Sequence, residues 1–344
     1  MSLQAKFSNY HGKISLGHGA DSYKSAREKD DSILRELKSA FRDAGYPVID
    51  SFLQGSMATS TAIKHKVEDF DIDRAVVIDY QQAPENPVEV KKKVLKVLEN
   101  RGFKNAKIKK PCITADYASL NLHIDITVYR RRGGVYELAV GKFGSDENNR
   151  EWAESDPKGL IDYINNSSVY LGSSQEKLSQ FKRSVRYIKR WRDHQFSDKT
   201  AKKVYSIGLT TMLKNEFQPG FDADGKQSDL IALRATVKQI LDTGKYFLPI
   251  GDGRYTVTVP LPVKPYLDIF NGAAIDTGTQ LYNKLCSLRD SLDKTEKESS
   301  LKKQCENLQK VFGDDFDVPD TESKDKPTKS LYTSAGIVGT SNGA

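Results

Sequence analysis

Three aspartates carry the chemistry this sequence can do. Asp71 and Asp73 flank Ile72, and Asp125 lies about fifty residues further on, inside His123-Ile124-Asp125-Ile126. Upstream, the apolar stretch 48–53 runs into Gln54-Gly55-Ser56-Met57, with fourteen residues between Ser56 and Asp71. Carboxylates are hard oxygen donors of the kind magnesium takes together with phosphate oxygens. Residues i and i+2 of a strand share a face, so Asp71 and Asp73 reach one site while Ile72 points into a core. A third carboxylate on a neighbouring strand completes a cradle for two divalent ions. Such a pair suits attack by a hydroxyl on the α-phosphorus of a nucleoside triphosphate, with pyrophosphate leaving in line. Glycine lets backbone approach a phosphate, and serine adds a hydroxyl donor.

Each piece alone is weak. Asp-x-Asp is common, Gly-Ser says almost nothing, and Asp125 alone could be a solvent-facing strand residue. A carboxylate amid Leu122, Ile124, Ile126 and Val128 is nevertheless costly to bury unless paired or metal-bound. Asp69 shares the parity of the other two, so the pair can also be read as Asp69/Asp71. Asp71/Asp73 is preferred because Arg74-Ala75-Val76-Val77-Ile78 continues as strand, which leaves Glu68 and Asp69 to a loop.

The surrounding elements follow from periodicity. Apolar residues from Tyr23 to Ala44 fall mostly three and four apart, predicting an amphipathic helix stopped by Gly45. Strands are predicted over 48–53 and 70–78, and a helix over 90–98. Two or three strands follow within 106–140, with Gly133-Gly134 as a turn. The first ~145 residues therefore read as an α/β or α+β module. Beyond a charged, turn-rich stretch at 148–157 the pattern becomes helical: 178–191, 205–213, 230–241 and one long polar helix over 281–312, with a short β excursion at 255–259. On the helix through Trp191, Lys182, Arg186 and Lys189 form a basic stripe able to face a cleft and hold phosphates. Ser206, after Lys202-Lys203, is similarly placed to donate to phosphate. From about residue 318 the chain is polar and aperiodic and reads as a flexible tail.

Composition bounds the class. The 344 residues carry 53 Lys+Arg against 46 Asp+Glu, net +7, with 38% apolar and 29% charged residues. That composition is globular, and a pI near 9 is compatible with polyanionic ligands without demanding them. No apolar run approaches the ~20 residues that span a bilayer, and nothing near the start reads as a signal peptide, so a cytoplasmic protein is expected. Three scattered cysteines and five scattered histidines argue against a disulfide framework or a zinc site.

The segments Phe52-Leu53-Gln54-Gly55-Ser56-Met57-Ala58-Thr59, Asp71-Ile72-Asp73 and His123-Ile124-Asp125 resemble the core of polymerase-β-like nucleotidyltransferases. Within them the chain resembles the bacterial cGAS/DncV-like nucleotidyltransferases (CD-NTases), with further similarity at 152–160, in Ile188-Lys189-Arg190-Trp191 and at 311–316. The resemblance implies a bilobed α+β fold: a nucleotidyltransferase core with its N-terminal helix (1–148), a mainly helical domain closing the cleft (149–317), and the tail (318–344). It implies that Asp71, Asp73 and Asp125 bind Mg2+, with Mn2+ as the alternative. Gln54, Gly55, Ser56, Arg186, Lys189 and Ser206 would hold the triphosphate. It implies a cyclic di- or trinucleotide second messenger made from ATP, GTP or other triphosphates, which activates a downstream effector in antiphage defence. The zinc insertion of the animal DNA sensor is missing, so nucleic acid is not expected to be required. A tail ending Gly343-Ala344 is compatible with conjugation by a ubiquitin-transfer-like enzyme, and equally with a plain disordered end. Competing readings are the same chemistry on another acceptor (linear oligonucleotides, RNA or a small molecule) and a catalytically silent nucleotide-binding scaffold.

Overall fold

The computed structural model describes residues 2–16, 21–64, 70–117, 122–142, 144, 149–170, 172 and 174–320. Asp69, Glu68 and the tail beyond 320 lie outside the described residues, as does the expected boundary at 148.

In chain order the elements are helices α1 (Leu3–Ile14) and α2 (Asp21–Asp43), strand β1 (Val48–Leu53), the one-turn α3 (Gly55–Ala58), β2 (Phe70–Asp79) and α4 (Pro87–Asn100). Then come β3 (Lys107–Ile108), β4 (Ile113–Tyr117), β5 (Leu122–Arg132), β6 (Val135–Val140) and β7 (Glu151–Ser155). The helical part holds α5 (Pro157–Asn165), α6 (Ser174–Gln195), α7 (Asp198–Ala201), α8 (Ser206–Glu216) and α9 (Asp229–Asp242). A small hairpin of β8 (Phe247–Pro249) and β9 (Tyr255–Val257) precedes α10 (Ile275–Lys297) and α11 (Leu301–Phe312).

Seven strands among the described residues form one mixed sheet, ordered β1-β2-β5-β4-β3, with β6 and β7 continuing from the far half of β5. β2 and β5 are parallel and central, and the other pairings are antiparallel. Period-2 alternation sorts the two faces. Ile72, Val76 and Ile78 of β2, with Ile124, Ile126 and Val128 of β5, pack under α2 and α4. The opposite face carries Asp71, Asp73 and Asp125 at one end and the small cluster Ala75, Val77, Tyr129 and Tyr136 at the other. In β2 one even-numbered residue is charged: Arg74, buried beside Asp73, points to α2, where its guanidinium is paired with both oxygens of buried Asp30.

A second core joins the helices from α5 to α11, and α1 belongs to it through Phe7, Tyr10 and Ile14. The N-terminal helix of the sequence reading is α2; α1 is a separate helix that packs against α6 and α11. The sheet itself runs past residue 148, because β7 pairs with β6 to Ser155. The single long helix expected over 281–312 is two. Ser300 caps α11 by accepting from the Lys303 N–H, and Gln304 Nε2 donates to the Thr295 and Glu298 carbonyls that close α10. Local capping of this kind competes with helix continuation.

Candidate active site

Parallel pairing of β2 with β5 does the assembly. Its register sets Asp73 opposite Asp125 and Asp71 opposite His123, all on the sheet face away from α2 and α4. β1 leads antiparallel into the same place: Leu53 pairs with Arg74, and the Gln54 N–H donates to the Asp73 carbonyl at 2.8 Å. The chain then turns at Gly55, with φ +59°, directly over the Asp73 carboxylate. Three of the sequence elements, separated by up to 70 residues, thus meet at one sheet end.

Asp73 is the strained member. Burial, then the charges of Asp71 and Asp125, raise its pKa to about 7, against smaller lowering by Lys189 and His123. Asp125 goes the other way. Burial would raise it, but hydrogen bonds from His123 and Thr114 and the charge of Lys109 outweigh that and lower its pKa. His123 is raised to about 8, chiefly by its hydrogen bond to Asp125, and its Nδ1 is bonded to Asp116. A carboxylate that resists ionisation, set beside two others, is the electrostatics of a site short of positive charge. Three hard-oxygen donors on one face suit a divalent cation, and Gly55 leaves the space over Asp73 that a Cβ would fill. Among the described residues no three acidic, His or Cys side chains are already drawn into a closed metal cage.

A cleft of about 290 Å³ opens between the sheet end and the helices. Gly55, Ser56, Thr61, Asp71 and Asp73 line it from the core side, and Lys189, Arg192, Asp193, Ser206 and Thr210 from the helical side. Asp125 stands one strand further back, beside Asp73. Ser206 begins α8, so the positive end of that helix faces the cleft. Its Oγ accepts from Arg192 Nη1 at 2.6 Å, and Arg192 also donates to the Val204 carbonyl and to Asp193. Lys189 Nζ donates to the Thr61 carbonyl at 3.1 Å and to its Oγ1 at 3.2 Å. Burial, then Arg192 and Arg186, lower its pKa to about 7.

Two expected substrate-binding residues stand elsewhere. Arg186 is not on the cleft wall: its Nε and Nη2 donate to the Ala62 and Ser60 carbonyls at 3.1 and 2.6 Å, and Nη1 meets His11. Arg186 and Lys189 of the basic stripe therefore clamp the loop 60–64, with Arg190 holding the Lys64 carbonyl. Gln54 is likewise engaged: its amide donates to Thr127 Oγ1 and accepts from the Tyr129 hydroxyl, bracing the strands behind Asp73. Arg192, Thr61 and Thr114 were not singled out from the sequence. Arg192 could have been, since it lies three residues beyond Lys189 on the same helix. Thr114 could not, because only the β4·β5 register places it opposite Asp125.

Comparison with known proteins agrees with this geometry. The family model for "Cyclic GMP-AMP synthase DncV-like, nucleotidyltransferase domain" matches residues 50–129, a span that holds Gly55, Ser56 and all three aspartates. The cyclic GMP-AMP synthase of Escherichia albertii is 26% identical over 194 residues, 54% of this chain; the chain spans about two fifths (41%) of that relative's length. Among solved structures, the Bradyrhizobium diazoefficiens CD-NTase CdnG, in complex with GTP, superposes with a TM-score of 0.67 at 17% identity, covering 91% of this chain and 96% of that one. The Vibrio cholerae DncV cyclic AMP-GMP synthase, bound to the linear intermediate 5' pppA(3',5')pG, gives 0.66 at 17% identity, covering 90% and 97%. Residues 50–129 thus match the DncV-like nucleotidyltransferase domain, and the chain as a whole shares the fold of the CD-NTase structures.

Proposed function

We propose that this chain is a Mg2+-dependent nucleotidyltransferase that makes a cyclic di- or trinucleotide second messenger from nucleoside triphosphates. The observation that carries the reading is the register of Asp73 with Asp125, with Asp71 on the same face, under the Gly55–Ser56 turn. Asp71, Asp73 and Asp125 would hold the metal; when bound, it offsets charge on the attacking and leaving oxygens. Ser56, Lys189, Ser206 and the start of α8 bind and orient the triphosphate, and Arg192 adds the planar, bidentate donor that phosphate favours. Arg186 and Gln54 serve this indirectly, by fixing the loop 60–62 and the end of β1. At each transfer a hydroxyl oxygen bonds to the α-phosphorus, the bond to the β-phosphate breaks and pyrophosphate departs. The last transfer, within the linear product, closes the ring.

The same reading places the enzyme in antiphage signalling, with a cyclic-nucleotide-activated effector downstream. It also allows a ubiquitin-transfer-like enzyme to act on the C-terminal tail. Mass spectrometry of the protein from cells carrying its neighbouring genes tests the latter, an unmodified terminus counting against it.

Purified protein incubated with labelled triphosphates and Mg2+ or Mn2+ tests the activity. Phosphatase-resistant products formed without added acceptor support it. Products formed only when RNA or a small molecule is supplied would replace it with the acceptor-dependent alternative.

A further inference from the structure

Asp125 stands between two strands. Across β2 it faces Asp73; across β4 it faces Thr114, its antiparallel partner. Thr114 is fully buried, and its hydroxyl donates to Asp125 Oδ1. His123 Nε2 and Lys109 Nζ approach that same oxygen, at 3.4 and 3.7 Å. His123 is held from behind by Asp116. The β3–β4 hairpin that carries Thr114 is itself pinned. The buried ammonium of Lys91 donates to the carbonyls of Lys109, Lys110 and Gly141, each at 2.7 Å.

Rotation of an aspartate carboxylate about its last bond is soft, so the groups that touch its oxygens decide which one faces a ligand. Here the contacts gather on Oδ1 and draw it toward β4. Lys109 brings a positive charge that would compete with a metal ion for the carboxylate. Thr114, which makes the closest of the three contacts, orients the group without adding charge.

Building on the metal-binding reading of the three aspartates, we propose that Thr114 is a positioning residue. Its hydroxyl fixes the Asp125 carboxylate with Oδ1 toward β4, so that Oδ2 is the oxygen turned toward Asp73 and the metal. The arrangement is the familiar one in which a hydrogen bond from outside the ligand set aims a metal ligand.

Thr114→Val keeps the shape and strand preference of the side chain and removes the donor; Thr114→Ser keeps the donor. Mn2+ binding to the full chain, followed by electron paramagnetic resonance with Mn2+ alone, reads the site directly. The Val variant is expected to bind Mn2+ about 10-fold more weakly or worse, and to lose about 10–100-fold in kcat with triphosphate KM changed less than about 2-fold. The Ser variant should match the wild type in all three. A folded Val variant with wild-type Mn2+ binding and kcat overturns the proposal, as does a wild type that binds no Mn2+. If Val does not fold, Thr114→Ala loses the same donor and is read identically. A wild type that binds Mn2+ but forms no nucleotide product refutes the proposed function, while Mn2+ binding by the variants still decides the role of Thr114.

Discussion

Gly55 lies so close to Asp73 that a Cβ on the glycine would sit 2.0 Å from the carboxylate Oδ2. At φ +59° the backbone also adopts the left-handed conformation that costs a side-chain-bearing residue about 1–2 kcal/mol. Steric and conformational demands thus coincide at one position, which ties the phosphate-side turn to the acidic strand. Gly55→Ala should shift Asp73 and lower kcat/KM by about 100-fold, the scale on which small misplacements of reacting groups act. Steady-state kinetics beside a thermal melt checks this; unchanged turnover in a folded variant would contradict the coupling.

Arg186 and Arg192 lie six positions apart on α6 and should fail differently when removed. Arg186→Gln leaves the Ser60 and Ala62 carbonyls short of a donor, costing about 1–3 kcal/mol and several degrees of melting temperature. Arg192→Gln removes a donor that faces the cleft. Triphosphate KM should rise about 10-fold, in line with a lost charge-assisted bond, with a smaller fall in melting temperature than Arg186→Gln. The reverse pattern would put Arg186, not Arg192, on the substrate.

Acid should act on the clamp through His11. Burial, then the charges of Arg186 and Arg183, lower its pKa to about 4. The unfolded chain binds this proton near the ordinary histidine value of 6.5, so between those limits it holds more protons than the folded state. His11 therefore contributes stability above about pH 6.5 that is lost as pH falls toward 4. Comparing melts of wild type and His11→Gln from pH 7.5 down to 4.5 isolates the effect. The wild type should lose more stability across that range, and parallel curves would remove His11 as the cause.

Much of this was legible before any coordinates, and the reasons are local. Alternation in β2 announced both the buried Ile72 and the outward Asp71 and Asp73, because a strand's period is two. The Gly133 turn likewise fixed the β5–β6 hairpin. What stayed hidden depends on partners distant in sequence. Lys182, Arg186 and Lys189 read as an open basic stripe, since nothing in their spacing reveals that carbonyls of Ser60, Thr61 and Ala62 come to meet Arg186 and Lys189. Phe7, Tyr10 and Ile14 have helical spacing, but only the fold shows that they complete the core of the helical part. Ser300 held a readable capping signal that the run of polar residues around it obscured.

The central claim is that Asp71, Asp73 and Asp125 act together on a metal-bound triphosphate, and replacing the pair on β2 tests it most directly. Asp71→Asn with Asp73→Asn removes two ligands without touching a core side chain, so the melt should show a folded protein. Pyrophosphate release and nucleotide product, followed with Mg2+ and all four labelled triphosphates, should fall to background in that variant while the wild type turns over. Sustained synthesis by the folded double variant would show that the chemistry resides elsewhere.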